Sequence, residues 1–143
     1  MLRAGAIILT FWTGFKLAIS LGILFMLLAL GKNSPALLAL FGDAQGKGLD
    51  PRALATINGL AIVANASIAA LSILSLAVIW GALMKRAVWA FWSLAVALLF
   101  LEVVRWVGES LYYQENLLED AVTLLPTVAG VTCVAIGVFR RTT

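Results

Sequence analysis

Four long apolar stretches constrain this chain more than anything else in it, because each is long enough to cross the hydrocarbon core of a bilayer. They cover residues 5–31, 54–83, 87–107 and 121–139. A spanning helix needs about 20 predominantly apolar residues. Hydrocarbon offers no hydrogen-bond partner, so a crossing segment must satisfy its own N–H and C=O groups, which a helix does. The stretches therefore predict an all-α polytopic membrane protein: four transmembrane helices in an antiparallel bundle, forming one domain over residues 1–143. The first two exceed the minimum and can tilt or project beyond the core. Composition agrees, with 63% hydrophobic and 12% charged residues and a mean hydropathy of +1.06, a surface that lipid solvates. Residues 17–28 followed by Ala29-Leu30-Gly31 loosely resemble the core and cleavage site of a signal peptide, but length and flanks favour a retained span.

Loop charge predicts the orientation. With four spans, the N-terminus, the turn Met84-Lys85-Arg86 and the C-terminus share one side, which carries Arg3, Lys85, Arg86, Arg140 and Arg141 and no acid. That side is expected to be cytoplasmic. The opposite loops mix Lys32, Lys47 and Arg52 with Asp43, Asp50, Glu109, Glu115, Glu119 and Asp120. Short loops and the positive-inside pattern point to a bacterial inner membrane. Trp80, Trp89 and Trp92 mark the cytoplasmic interface, and Trp106, Tyr112 and Tyr113 the outer end of the third span, as amphipathic rings do at the headgroup level. In the first outer loop Ser34-Pro35 is a cap-and-proline start and Gly42 a stop, predicting a short interfacial helix over 36–41. Asp50-Pro51 repeats that start ahead of the second span.

Several function classes lack the residues they require. The chain has no histidine and one cysteine, Cys133, which removes the usual general base, the commonest metal and haem ligands and any intrachain disulfide. Apolar neighbours predict a buried, inert Cys133 thiol. The net charge of +3 is scattered, unlike a nucleic-acid footprint. Residues 42–48, Gly-Asp-Ala-Gln-Gly-Lys-Gly, have the wrong spacing for a phosphate loop and lack the following Ser or Thr. Asn65-Ala66-Ser67 fits a glycosylation acceptor but lies within a span. The outer acids match no calcium loop. The sequence accordingly predicts no catalytic residues, no metal and no cofactor.

What remains are polar residues inside the membrane. Lys16, Glu102 and Arg105 fall within spans, where a charge costs about 2.5–3.5 kcal/mol on insertion scales unless it is paired, hydrated or able to snorkel. Thr13 and Ser20 lie on roughly the face of Lys16, while Glu102 and Arg105, three apart, can pair within one helix, and Glu109 continues their line outward. As a functional site this trio would be a proton or cation path with Glu102 as the exchanging group; as a structural one it neutralises itself and orients helices. Asn58, Asn65 and Ser72 recur every seven residues on the second span, and Thr123, Thr127, Gly130 and Cys133 form a small-residue line on the fourth. Asparagine hydrogen bonds and small side chains are the ordinary glue between membrane helices. Asn58, Asn65, Ser72, Thr127 and Gly130 are thus expected at a helix-packing or partner interface. The leading expectation is a noncatalytic membrane subunit, surrounded by membrane lipids, that self-associates or docks onto a larger membrane-protein complex. The alternative is a small ion- or proton-coupled transporter or channel subunit built on Lys16, Glu102 and Arg105, and a membrane enzyme comes third.

Overall fold

The computed structural model describes residues 1–31, 50–112 and 117–140, with backbone alone for 108–112 and 117–121. Helix α1 runs Leu2–Leu30 and stops where Gly31 takes φ 81°. Its N–H donates to the Leu27 carbonyl at 3.1 Å, a left-handed cap that a residue with a Cβ would adopt only under strain. Helix α2 covers Pro51–Gly81, with proline as its first residue, where the missing N–H is harmless. The Asp50 carbonyl accepts the Leu54 N–H at 3.1 Å. A 3-10 turn, Leu83–Lys85, follows and ends at Arg86, whose φ of 57° is left-handed. Helices α3, Val88–Tyr112, and α4, Leu117–Phe139, complete the described helices, and α4 continues through Pro126.

The secondary structure of the described residues is all-helical, and among them four helices are long and apolar enough to cross a membrane, which makes this an integral membrane protein. The candidate spans, Leu2–Leu30, Pro51–Lys85, Val88–Val107 and Val122–Phe139, lie within a few residues of those read from hydropathy. The helices α3 and α4 exceed the hydrocarbon-length segments, because helical hydrogen bonding does not end where hydrocarbon does. The expected interfacial helix over 36–41 and the glycine-rich stretch 42–48 lie outside the described residues.

The chain divides into two compact units, one of Met1–Gly14 with Leu74–Thr143 and the other of Phe15–Ile73. The first has a core around the fully buried Leu9, Ile79, Leu83 and Val134. Helix α3 faces this core through Ala90, Phe91, Leu94, Ala95 and Leu98, the three-and-four spacing of one helix face. Its other side exposes Val96, Phe100, Val103 and Val104, the surface that lipid would solvate.

In this unit α1 meets α4 at glycines. A Cβ on Gly137 would lie 2.4 Å from the Leu2 nitrogen, one on Gly130 2.5 Å from Leu9 Cδ2, and one on Gly5 2.7 Å from the Val134 nitrogen. Rising numbers on α1 meet falling numbers on α4, so the two segments run in opposite senses where they touch. Only the absence of side chains allows backbones this close, and close approach maximises dispersion contact between helices in lipid. At one end of the unit Phe91 and Phe139 pack edge to face with centroids 5.3 Å apart, and Trp92 joins them.

In the second unit α1 buries Ser20 and Leu27, and α2 buries Leu54, Asn58, Ala69 and Ser72. The polar members of these faces are small, as membrane helix seams favour.

Candidate functional site

The buried face of α3 does not end with its apolar residues. Glu102 follows Leu98 by one turn and is 2% exposed, so its carboxylate points into the first unit and away from lipid. Arg105 lies three residues on, with its Nε 3.6 Å from Glu102 Oε2 and its side chain 33% exposed. That separation marks an ion pair rather than a hydrogen bond. Glu102 and Arg105 thus form the intrahelical pair that their spacing predicts.

Helix α4 contributes the other half of the cluster. The Thr127 hydroxyl, fully buried, donates to Glu102 Oε1 at 3.2 Å. The Arg105 guanidinium donates to the Thr123 hydroxyl. Four side chains, two from each helix and each pair about one helical turn apart, therefore join α3 to α4. The charge is engaged where it would otherwise be most costly, since an isolated ion in a low-dielectric interior loses several kcal/mol, roughly, of solvation.

The composition of α4 decides this arrangement. Thr123, Thr127 and Gly130 advance by four and three residues and so share a face. Hydroxyls in its N-terminal half meet the charges of α3, and Gly130 beyond them is closed by Leu9. One face of α4 therefore serves both polar and close-packed contacts. Thr123 belonged to the small-residue line legible in the sequence, but its role as a hydroxyl partner of Arg105 was not. The signal was the matched spacing of two hydroxyls on one helix and two charges on another, and nothing in the sequence pairs those helices. Cys133, expected to be buried, is half-buried, because Val134 takes the core position beside it.

Lys16, Asn58, Asn65 and Ser72 fall in the second unit. Lys16 on α1 is half-buried. Thr13, on roughly the same face of α1 but in the first unit, is buried with a hydroxyl that makes no hydrogen bond, and Ser20 is buried in the second. On α2, Asn58 and Ser72 are buried. Asn65 is half-buried and donates through Nδ2 to the Ala61 carbonyl of its own helix at 2.9 Å. One of its donors is thus occupied locally rather than across a seam. Ser67 likewise donates to the Val63 carbonyl at 2.8 Å, so the Asn65-Ala66-Ser67 tripeptide sits wholly within α2.

Chemically, the cluster holds a carboxylate, a guanidinium and two hydroxyls with no histidine or thiolate beside them. It can orient helices or exchange a proton or small cation at Glu102. Among the described residues no three His, Cys, Asp or Glu side chains group as metal ligands. Compared with protein-family models, curated proteins and solved structures, the chain matches none.

Proposed function

We propose that this chain is a noncatalytic integral membrane subunit, an antiparallel four-helix bundle with both termini in the cytoplasm, which joins a second copy of itself or a larger membrane complex. The observation that carries this reading is the engagement of Glu102 by Arg105 and Thr127. A carboxylate held by its own helix and by a neighbouring one acts as a crosslink between them. The glycines support the docking half of the proposal. Gly130 and Gly137 are closed by α1, whereas a Cβ on Gly14, Gly22 or Gly59 would meet nothing within 4 Å among the described residues of its own unit. Glycines open in this way leave faces that another membrane helix could approach closely. The basic residues Arg3, Lys85, Arg86 and Arg140 support the orientation, and a bacterial inner membrane is the setting they suit.

Native mass spectrometry of the chain, gently extracted from its own membrane, tests the proposal. The expected result is a defined homo-oligomer or heteromer that survives dilution in detergent. A uniformly monomeric chain would count against it. A reporter fused to the C-terminus checks orientation and should be active on the cytoplasmic side.

A second reading rests on a separate observation: a carboxylate 2% exposed within a spanning helix, beside an arginine that stays 33% exposed, is what ion coupling needs. In this reading Lys16, Glu102 and Arg105 serve a small transporter or channel subunit. Glu102→Gln, reconstituted in liposomes, should then assemble normally and lose pH-dependent ion flux. Flux equal to that of the unaltered chain would remove the second reading.

A further inference from the structure

Four cations from three separate places in the sequence, Arg3, the adjacent Lys85 and Arg86, and Arg140, converge at one end of the first unit. Leu2 abuts Gly137, which brings Arg3 beside the end of α4, where Arg140 follows Phe139. Phe139 packs on Phe91 at 5.3 Å, and Phe91 stands just after the turn that carries Lys85 and Arg86. Leu2, Ala82, Met84, Ala87 and Val138 all pack against the same core.

The side chains of Arg3, Lys85, Arg86 and Arg140 are exposed. The turn that presents two of them is anchored by the fully buried Leu83 and closed by the Arg86 N–H on the Leu83 carbonyl at 2.8 Å. Trp80, Trp89 and Trp92 are exposed around the same end, where indole rings favour the headgroup level. Among the described side chains of this unit the acid is Glu102, engaged by Arg105 and about 21 Å along α3 from its start at Val88 by helical rise.

We propose that Arg3, Lys85, Arg86 and Arg140 form a binding surface for the headgroups of anionic phospholipids. The proposal rests on the membrane reading above, and charge complementarity selects the occupant. A phosphodiester alone is balanced by choline in a zwitterionic lipid, whereas an anionic headgroup keeps a net negative charge that clustered cations attract. The tryptophans place that surface at the depth where the headgroups lie.

The test uses the full chain, purified in a neutral detergent and delipidated. Phosphatidylglycerol or phosphatidylcholine of matched acyl chains is added, and bound lipids are counted by native mass spectrometry alongside thermal unfolding. The expected result is a preference of about ten-fold or more for phosphatidylglycerol, accompanied by a rise in unfolding temperature. The preference should fall several-fold in the combined variant R3Q/K85Q/R86Q/R140Q. If that variant does not insert, unaltered protein at raised salt provides the second measurement, because screening over a shorter Debye length must weaken the preference. Equal binding of the two lipids, a preference unmoved by both substitution and salt, or equal stabilisation by inorganic phosphate would overturn the proposal. A chain that stays soluble without detergent would instead overturn the membrane reading itself, which separates the two failures.

Discussion

Gly137→Ala is expected to destabilise the protein strongly, whereas Gly22→Ala should raise its stability slightly. The two substitutions are chemically identical and both lie in helices, so they differ only in what the new methyl group meets. At Gly137 the Cβ would lie 2.4 Å from the nitrogen and 2.5 Å from the Cα of Leu2. Those are backbone atoms, which cannot rotate away as the end of a side chain can. Helix α1 must therefore separate from α4, loosening the neighbouring contacts of Gly130 with Leu9 and of Gly5 with Val134. Overpacking of this kind costs about 1–3 kcal/mol, and the backbone contact places Gly137→Ala at the upper end. At Gly22 a Cβ meets nothing within 4 Å among the described residues of its own unit, and alanine favours the helix by roughly 0.5–1 kcal/mol over glycine. Unfolding by a denaturing detergent in mixed micelles would compare the two variants. Similar stabilities would mean that α1 and α4 are not in contact at Leu2 and Gly137.

The second large effect is expected at Glu102. Replacing it with alanine removes a carboxylate that is 2% exposed and leaves Arg105 without its ion-pair partner. Thr127 also loses its acceptor. Breaking a fully buried pair costs about 3–5 kcal/mol, but Arg105 is one-third exposed and can extend toward the interface, which reduces the penalty to roughly 2–3 kcal/mol. Replacing Glu102 by leucine and Arg105 by methionine together should recover much of the loss, because both charges leave the interior at once. Thr127→Val should cost about 1–2 kcal/mol, the lower range for a hydrogen bond to a charged group, given its 3.2 Å length. A double-mutant cycle over Glu102 and Thr127 would isolate their coupling. Additive losses would show that the Glu102–Thr127 hydrogen bond contributes nothing to the joining of α3 and α4, whereas Val103→Ala, on the exposed side of α3, provides a control expected to be mild.

These two effects show where sequence reading ends for a membrane chain. The pairing of Glu102 with Arg105 is local, set by a three-residue separation on one helix, and was legible. Its partners Thr123 and Thr127 are also three-dimensional neighbours, but of a different helix. In a water-soluble bundle an apolar stripe would reveal which face of α4 turns inward. In lipid the outer face is as apolar as the inner one, so hydropathy carries no such signal. The glycines make the same point: Gly22 and Gly137 look alike in the sequence, and only one is closed by another helix.

The sequence by itself determined the number of spans, their approximate limits and the presence of charges within them. These are properties of single segments: length against bilayer thickness, self-satisfied backbone hydrogen bonds, and a Gly31 or Pro51 at a helix end. Tertiary structure decided which small residues of α4 lie against α1, that Arg86 adopts a left-handed conformation at the turn after α2, and that the carboxylate of Glu102 is shared with Thr127. Each depends on the distance between helices. That distance is set by dispersion contact and polar pairing among several segments at once, and no single segment encodes it.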